Sequence, residues 1–302
     1  MTDDIGEDDT DEPAPNVDRD PRDLPVRFSA LKLMGRSPAH YRHAIVTGYD
    51  SSLAMRLGTA AHAAALEPHR IVVYAPGEYT DDKGKVKAHA GKRAGAAWAQ
   101  FNAAQRPDAV ILTPKEHRIA TTIAAALRSH DIAAPLLFGD DVIRERPILW
   151  TRDGRACSSL PDARIPGRMV VDLKTCRNAQ PDKFLWDVIR NGYREQLRMY
   201  DEADAAELGE DVRTRPPIDL HIVAVESVAP YVVQVYTMEP SAIMAADRTL
   251  ASWWERLRGC ELNNHWPGYS QGAWPIVDDN DENNPGGIDY GADDEPDDEG
   301  EI

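Results

Sequence analysis

Cysteine is scarce in this 302-residue chain: Cys157, Cys176 and Cys260 lie far apart, with no C-x-x-C pair. A disulfide framework and a four-cysteine zinc or iron–sulfur centre are thereby excluded, and a reducing, cytoplasmic setting is expected. No apolar run approaches the roughly 20 residues a membrane helix needs, so no membrane partner is expected. The first 25 residues are acidic and contain proline, the opposite of a basic, apolar signal peptide. There is no G-x-x-x-x-G-K-[ST] loop for nucleotide phosphates.

Positive charge is also in deficit, with 34 Lys+Arg against 51 Asp+Glu. The deficit is local. Residues 1–23 hold ten acids and two arginines, and residues 278–302 hold twelve acids and no Lys or Arg. Without those ends, 29 acids face 32 bases, so the body is near neutral to weakly basic. Acidic blocks poor in aromatics bury too little apolar surface to offset ordering entropy. The expected organisation is an acidic disordered tail over 1–25, one folded domain over 26–276 and a second acidic tail over 277–302. The tails read as solubilising ends, with DNA mimicry or partner docking as the other reading. The middle is long enough for one domain with a full core.

Residues 28–46 read as two short helices broken at Ser37-Pro38, with Ser29 as N-cap of the first. A helix over 51–67, capped by Ser51 or Ser52, ends at Pro68. A strand is expected at 71–75. Residues 81–93 hold five basic residues and two glycines, which suits a mobile loop. Helices follow near 94–105 and 115–129. The period then changes. Residues 142–150, 155–165 and 168–174 read as three successive strands, turning at Asp153-Gly154 and Pro166-Gly167. A helical region over 181–208, strands over 218–226 and 231–237 and a helix over 240–258 complete the body, with 265–274 as an irregular closing segment. The order predicts an α/β fold with a mixed central β-sheet flanked by helices.

The strongest chemical signal is Pro161-Asp162, nine intervening residues, then Asp172-Leu173-Lys174. The run Met169-Val170-Val171 makes this a buried strand. Residues i and i+2 of a strand share a face, so Asp172 and Lys174 point the same way. Antiparallel pairing across Pro166-Gly167 brings Asp162 beside Asp172. Two carboxylates and an ammonium then converge at a sheet edge. Carboxylates are the hard oxygen ligands that Mg²⁺ prefers, and a nearby lysine can orient a water and offset charge building on a phosphate. An ordinary surface ion pair is the competing reading of so short a motif.

Pro161-Asp162…Asp172-Leu173-Lys174 resembles the signature of the PD-(D/E)XK nuclease superfamily. Four further groups resemble the nuclease domain of the exonuclease VIII, or RecE-like, phage-type branch. They are Ser29-Ala30-Leu31-Lys32 with Ser37-Pro38, Gly58-Thr59-Ala60-Ala61-His62, Leu66-Glu67-Pro68, and Gln196-x-x-x-Tyr200. The likeness spans about residues 28–275. Leu160 departs from it, standing where an arginine is expected. The resemblance implies a Mg²⁺-dependent exodeoxyribonuclease, with Mn²⁺ as substitute and no need for ATP. Its expected action is to resect linear double-stranded DNA from 5′ to 3′ and leave 3′ single strands for recombination. It implies a RecT-like single-strand annealing partner and a homo-oligomeric ring. A RecB-like or other superfamily nuclease, or a non-catalytic DNA-processing partner protein, remains the alternative.

The resemblance also implies site roles. Asp162, Asp172, His62 and the Leu173 carbonyl would hold metal, with Lys174 positioning the attacking water. Glu145, placed on the first strand of the meander, would be a site-facing acid. A lone helical histidine such as His62 is otherwise usually a packed or surface residue. Gln196 and Tyr200 lie four apart on one helix face and would support Lys174 and touch DNA; an amphipathic core boundary is the competing reading. Ser29 and Lys32 resemble a DNA-contacting feature. Lys83, Lys85 and Lys87, with Lys92 and Arg93, offer sequence-independent phosphate attraction or form a solvated face. Arg194 and Arg198 either meet phosphates or lie on an exposed face.

Overall fold

The computed structural model describes residues 20–48 and 53–269. The acidic ends fall outside these, apart from the stretch from Asp20, as do Ser51, Ser52 and most of the closing segment. Folded structure begins ahead of residue 26. A short turn at Pro21–Asp23 is followed by Arg155 donating to the Pro21 and Leu24 carbonyls.

Helices α1 (Phe28–Leu31) and α2 (Pro38–Thr47) open the body. Ser29 does not cap α1, whose N-cap position is Arg27; the serine that caps is Ser37, accepting from the His40 N–H at the start of α2. Next come α3 (Leu53–Leu66), β1 (Ile71–Val73), β2 (Gly77–Thr80), β3 (Val86–His89), α4 (Gly95–Ala103), β4 (Val110–Leu112), α5 (Pro114–Ser129) and α6 (Ala133–Phe138). Residues 77–89 form an antiparallel hairpin, where a mobile loop was expected. Thr113 and Glu116 cap α5 reciprocally.

The expected three-strand meander is five strands: β5 (Ile143–Arg144), β6 (Ile148–Arg152), β7 (Arg155–Ser159), β8 (Ala163–Ile165) and β9 (Met169–Cys176). Pro147 and Pro161 interrupt the two longer runs, since proline cannot donate to a ladder. The β6–β7 hairpin forms a separate sheet, turning at Asp153-Gly154 with both residues at positive φ. The helical region over 181–208 is α7 (Pro181–Asn191) and α8 (Tyr193–Leu208), broken where Gly192 takes a left-handed conformation (φ +72°). β10 (Asp219–Glu226), β11 (Val233–Thr237) and α9 (Pro240–Asn263) follow.

The main sheet runs β11-β10-β9-β8-β5, with β9 and β10 parallel and the other pairs antiparallel. It is the expected mixed sheet flanked by helices. Val171, Leu173, Val223 and Val225 pack on α3, α5 and α6, while Val170, Ile222 and Ala224 pack on α7 and α8. Helix α8 is shared: Leu197 and Tyr200 face the sheet, Met199 and Ala203 face the outer layer of α1, β6 and α9. No helix among the described residues is long and apolar enough to cross a membrane.

Candidate nuclease site

The site forms where the sheet is left unfinished. Strand β8 pairs with β9 only from Ala163↔Val171 to Ile165↔Met169, so Asp172, Leu173 and Lys174 have no strand on that side. The register extrapolates to Asp162 opposite Asp172. Asp162 stands just before β8, and its Oδ2 accepts the Leu173 N–H at 2.5 Å, closing the open edge with a carboxylate. A strand residue directs its N–H and C=O to the same edge, so the Leu173 carbonyl also faces Asp162.

Helix α3 brings His62 to this edge from the α3/α5 face. Its inner surface is Ala60, Ala61, Ala64 and Ala65, all buried. Gly58 allows the close approach: a Cβ there would stand 3.2 Å from Thr175 Oγ1 on β9. His62 Nδ1 then lies 3.3 Å from Asp162 Oδ1 and 3.9 Å from Glu145 Oε1. Glu145 does not lie within a strand. It follows β5 in a left-handed conformation (φ +48°), its N–H bonded to the Asp162 carbonyl. For a side chain of this size that conformation costs on the order of 1–2 kcal/mol. The strain aims the carboxylate inward.

From the other face, Lys174 Nζ lies 2.7 Å from Asp172 Oδ2 and 4.8 Å from the centre of the Tyr193 ring. Tyr193 escaped the sequence reading, and its place beside the lysine follows from the break at Gly192, which no pattern announced. Gln196 Nε2 donates to Tyr200 Oη at 2.7 Å. These side chains, with Arg27, Ser29 and Lys32, line a cavity of about 450 Å³ into which Lys174 projects. Leu160 lines the same cavity, and Arg27 supplies a guanidinium there.

The electrostatics are those of a site crowded with like charges. Burial pushes the Asp172 carboxyl up to about 6; Lys174 opposes that shift and Asp162 adds to it. Burial would also raise Asp162, but His62, Lys174 and the Leu173 N–H hold it below the usual carboxylate range. Glu145 is raised, chiefly by burial. Burial alone would lower His62, yet Asp162 and Glu145 outweigh it and lift the imidazole to about 10. Burial would lower Lys174 too, and Asp172 and Asp162 raise it instead. A proton on His62 thus takes the place of a counter-cation among carboxylates.

His62, Glu145 and Asp162 each offer a ligand atom, all within 4.8 Å of one another. Two carboxylates and an imidazole form a hard-to-borderline donor set, which fits Mg²⁺ or Mn²⁺. Asp172 adjoins this group but turns its carboxylate to Lys174.

Other expected contacts fare differently. Lys83 and Lys85 sit exposed at the β2–β3 hairpin, whereas Lys87 is paired to Asp81 at 2.8 Å and Arg93 is tied to Glu116. Arg194 is half-buried beside Glu195. Arg198 does not lie on an exposed face: it is buried and paired with Asp201 and Asp247, because α8 turns it away from the sheet.

Residues 27–274 match the family described as a PDDEXK-like domain of unknown function (DUF3799). No curated protein sequence matches the chain. Among solved structures, a candidate exonuclease from Eubacterium rectale aligns with a TM-score of 0.54 at 13% identity. The alignment covers 84% of this chain and 91% of that one, and at this identity the likeness is one of fold. An alkaline exonuclease from Laribacter hongkongensis aligns over 43% of this chain and 63% of its own at 14% identity, with a TM-score of 0.26. With the match spanning most of the sequence, the chain belongs to the PDDEXK-like DUF3799 family.

Proposed function

We propose that this protein is a divalent-metal-dependent deoxyribonuclease that resects linear duplex DNA from the 5′ end without ATP. The observation that carries the reading is the convergence of His62, Glu145 and Asp162 with the Asp172–Lys174 pair at one open sheet edge, beside a cavity lined by Arg27, Ser29 and Lys32. His62, Glu145 and Asp162 would hold the cation, with the Leu173 carbonyl on the same edge. When bound, the ion supplies Lewis-acid stabilisation of charge on a phosphate and acidifies a water. Lys174, held charged by Asp172 and propped by Tyr193, orients the attacking water and offsets negative charge. Gln196 and Tyr200 fix the wall behind the lysine. Arg27, Ser29 and Lys32 hold the DNA backbone, so base selectivity should be slight.

Exonuclease action, 5′ polarity, a recombination role, a RecT-like annealing partner and a ring of subunits rest on the motif resemblance; the candidate exonuclease of like fold favours the first. Linear duplex labelled at either 5′ or 3′ ends, circular duplex and single strands, incubated with Mg²⁺ and no ATP, test the proposal together. Release of 5′ label from linear duplex, with circles intact, is the expected result. Cutting of circles would show an endonuclease, and preference for single strands would favour a RecB-like enzyme.

A further inference from the structure

A second cavity, of about 370 Å³, adjoins the first and shares Lys32 with it. Its walls carry four cations, Lys32, Arg36, Arg190 and Arg194, against a single acid, Glu195. Glu195 is buried and lies 3.4 Å from Arg194, a loose pairing. The Arg194 Nε is buried and finds no hydrogen-bond acceptor among the described residues. Arg190 is mostly exposed at the rim, where its pair with Asp187 at 2.7 Å is open to exchange. Trp253 forms an apolar wall, and a Cβ on Gly35 would stand 3.0 Å from its indole nitrogen. Burial and the neighbouring Lys174 both hold the Lys32 ammonium below its usual range.

From this we infer that the second cavity seats a phosphate of the substrate DNA, away from the bond being cut. Guanidinium groups present forked donors that match phosphate oxygens two at a time, and three of the four cations are arginines. The shared Lys32 makes the path continuous: a strand lying against Lys174 passes Lys32 and reaches Arg194, with Arg36 and Arg190 also lining that cavity. The phosphate is either a terminal monoester or an internal diester, since the same donors suit both. This inference rests on the nuclease reading and adds a separate anchoring site to it.

The test uses the full chain with Arg36→Gln/Arg190→Gln, with Arg194→Gln, and with Arg36→Lys/Arg190→Lys as a charge-conserving control. Affinity is measured in EDTA across a salt series on linear duplex with 5′-phosphate or 5′-hydroxyl ends, and hydrolysis is followed with Mg²⁺. Each glutamine variant should weaken binding on the order of tenfold and flatten the log–log salt slope by about one per lost phosphate contact. KM should rise with kcat unchanged, and the lysine variant should recover most of the loss. Loss confined to phosphorylated ends assigns the terminal monoester; equal loss on both assigns an internal diester. An active wild type whose glutamine variants keep its KM and salt slope would overturn the inference while leaving the nuclease reading intact. A wild type that cuts none of these DNAs would overturn both.

Discussion

His62 Nδ1 stands 3.3 Å from Asp162 Oδ1, so a helix side chain from one face of the sheet meets a carboxylate at its open edge. The contact ties the site's geometry to its protonation. Burial disfavours the imidazolium, but the carboxylates prevail and lift it to about 10. Folding thus raises the proton affinity of His62. The stability this contributes is complete below about pH 6.5 and is lost as pH rises through about 10. Asp172, lifted to about 6, adds a smaller loss as pH rises through that value. In EDTA the unfolding temperature should fall steadily above neutrality, and His62→Gln should flatten the fall. A wild-type profile level from pH 6.5 to 10 would contradict this arrangement.

On the proposed reading, a divalent cation would compete with the His62 proton for the cluster of His62, Glu145 and Asp162. Mg²⁺ or Mn²⁺ should therefore raise the unfolding temperature, more at pH 8.5 than at pH 6.5. At a hundredfold excess over Kd the gain is about 2.7 kcal/mol, or several degrees. Asp162→Asn should abolish it, as calorimetry with metal titration would show. Equal metal stabilisation of wild type and Asp162→Asn would move the metal elsewhere.

Much of this site is legible in the sequence, for definite reasons. Met169-Val170-Val171 fixes a buried strand, strand alternation puts Asp172 and Lys174 on one face, and the turn at Pro166-Gly167 sets the register opposite Asp162. What is not legible depends on single-residue geometry or on tertiary contacts. Glu145 reaches the site only through a left-handed backbone that an apparent strand, Val142–Trp150, gives no sign of. The break at Gly192 lies inside a continuous helical pattern, so Tyr193 went unseen. Arg198 carries the spacing of a surface charge, yet α9 covers it with Asp247. Lys87 reads as part of a basic run, and only the hairpin reveals its pairing to Asp81.

The same helix that holds Gln196 and Tyr200 is anchored, one turn further along that face, by a buried ion network to the sheet. Asp204 accepts from Arg164 at 2.8 Å, Arg215 at 3.0 Å and the Gly167 N–H at 2.9 Å. Arg164 and Asp204 are both fully buried. Removing one partner strands the other charge in the interior, so Asp204→Ala should cost about 3–5 kcal/mol. Urea unfolding at pH 7.5 measures it. A loss below 1 kcal/mol would show that the network relaxes or hydrates.

Lys174 is the group on which the proposed chemistry turns. Its ammonium meets Asp172 at 2.7 Å and projects into the cavity beside the metal-fitting cluster. The direct measurement is the rate of Mg²⁺-dependent hydrolysis of end-labelled linear duplex DNA, without ATP, for wild type beside Lys174→Ala at equal DNA occupancy. A fall in kcat on the order of a hundredfold or more, with Kd for DNA changed by less than tenfold, is predicted. Hydrolysis by Lys174→Ala at the wild-type rate, or no Mg²⁺-dependent hydrolysis by wild type, would contradict the account.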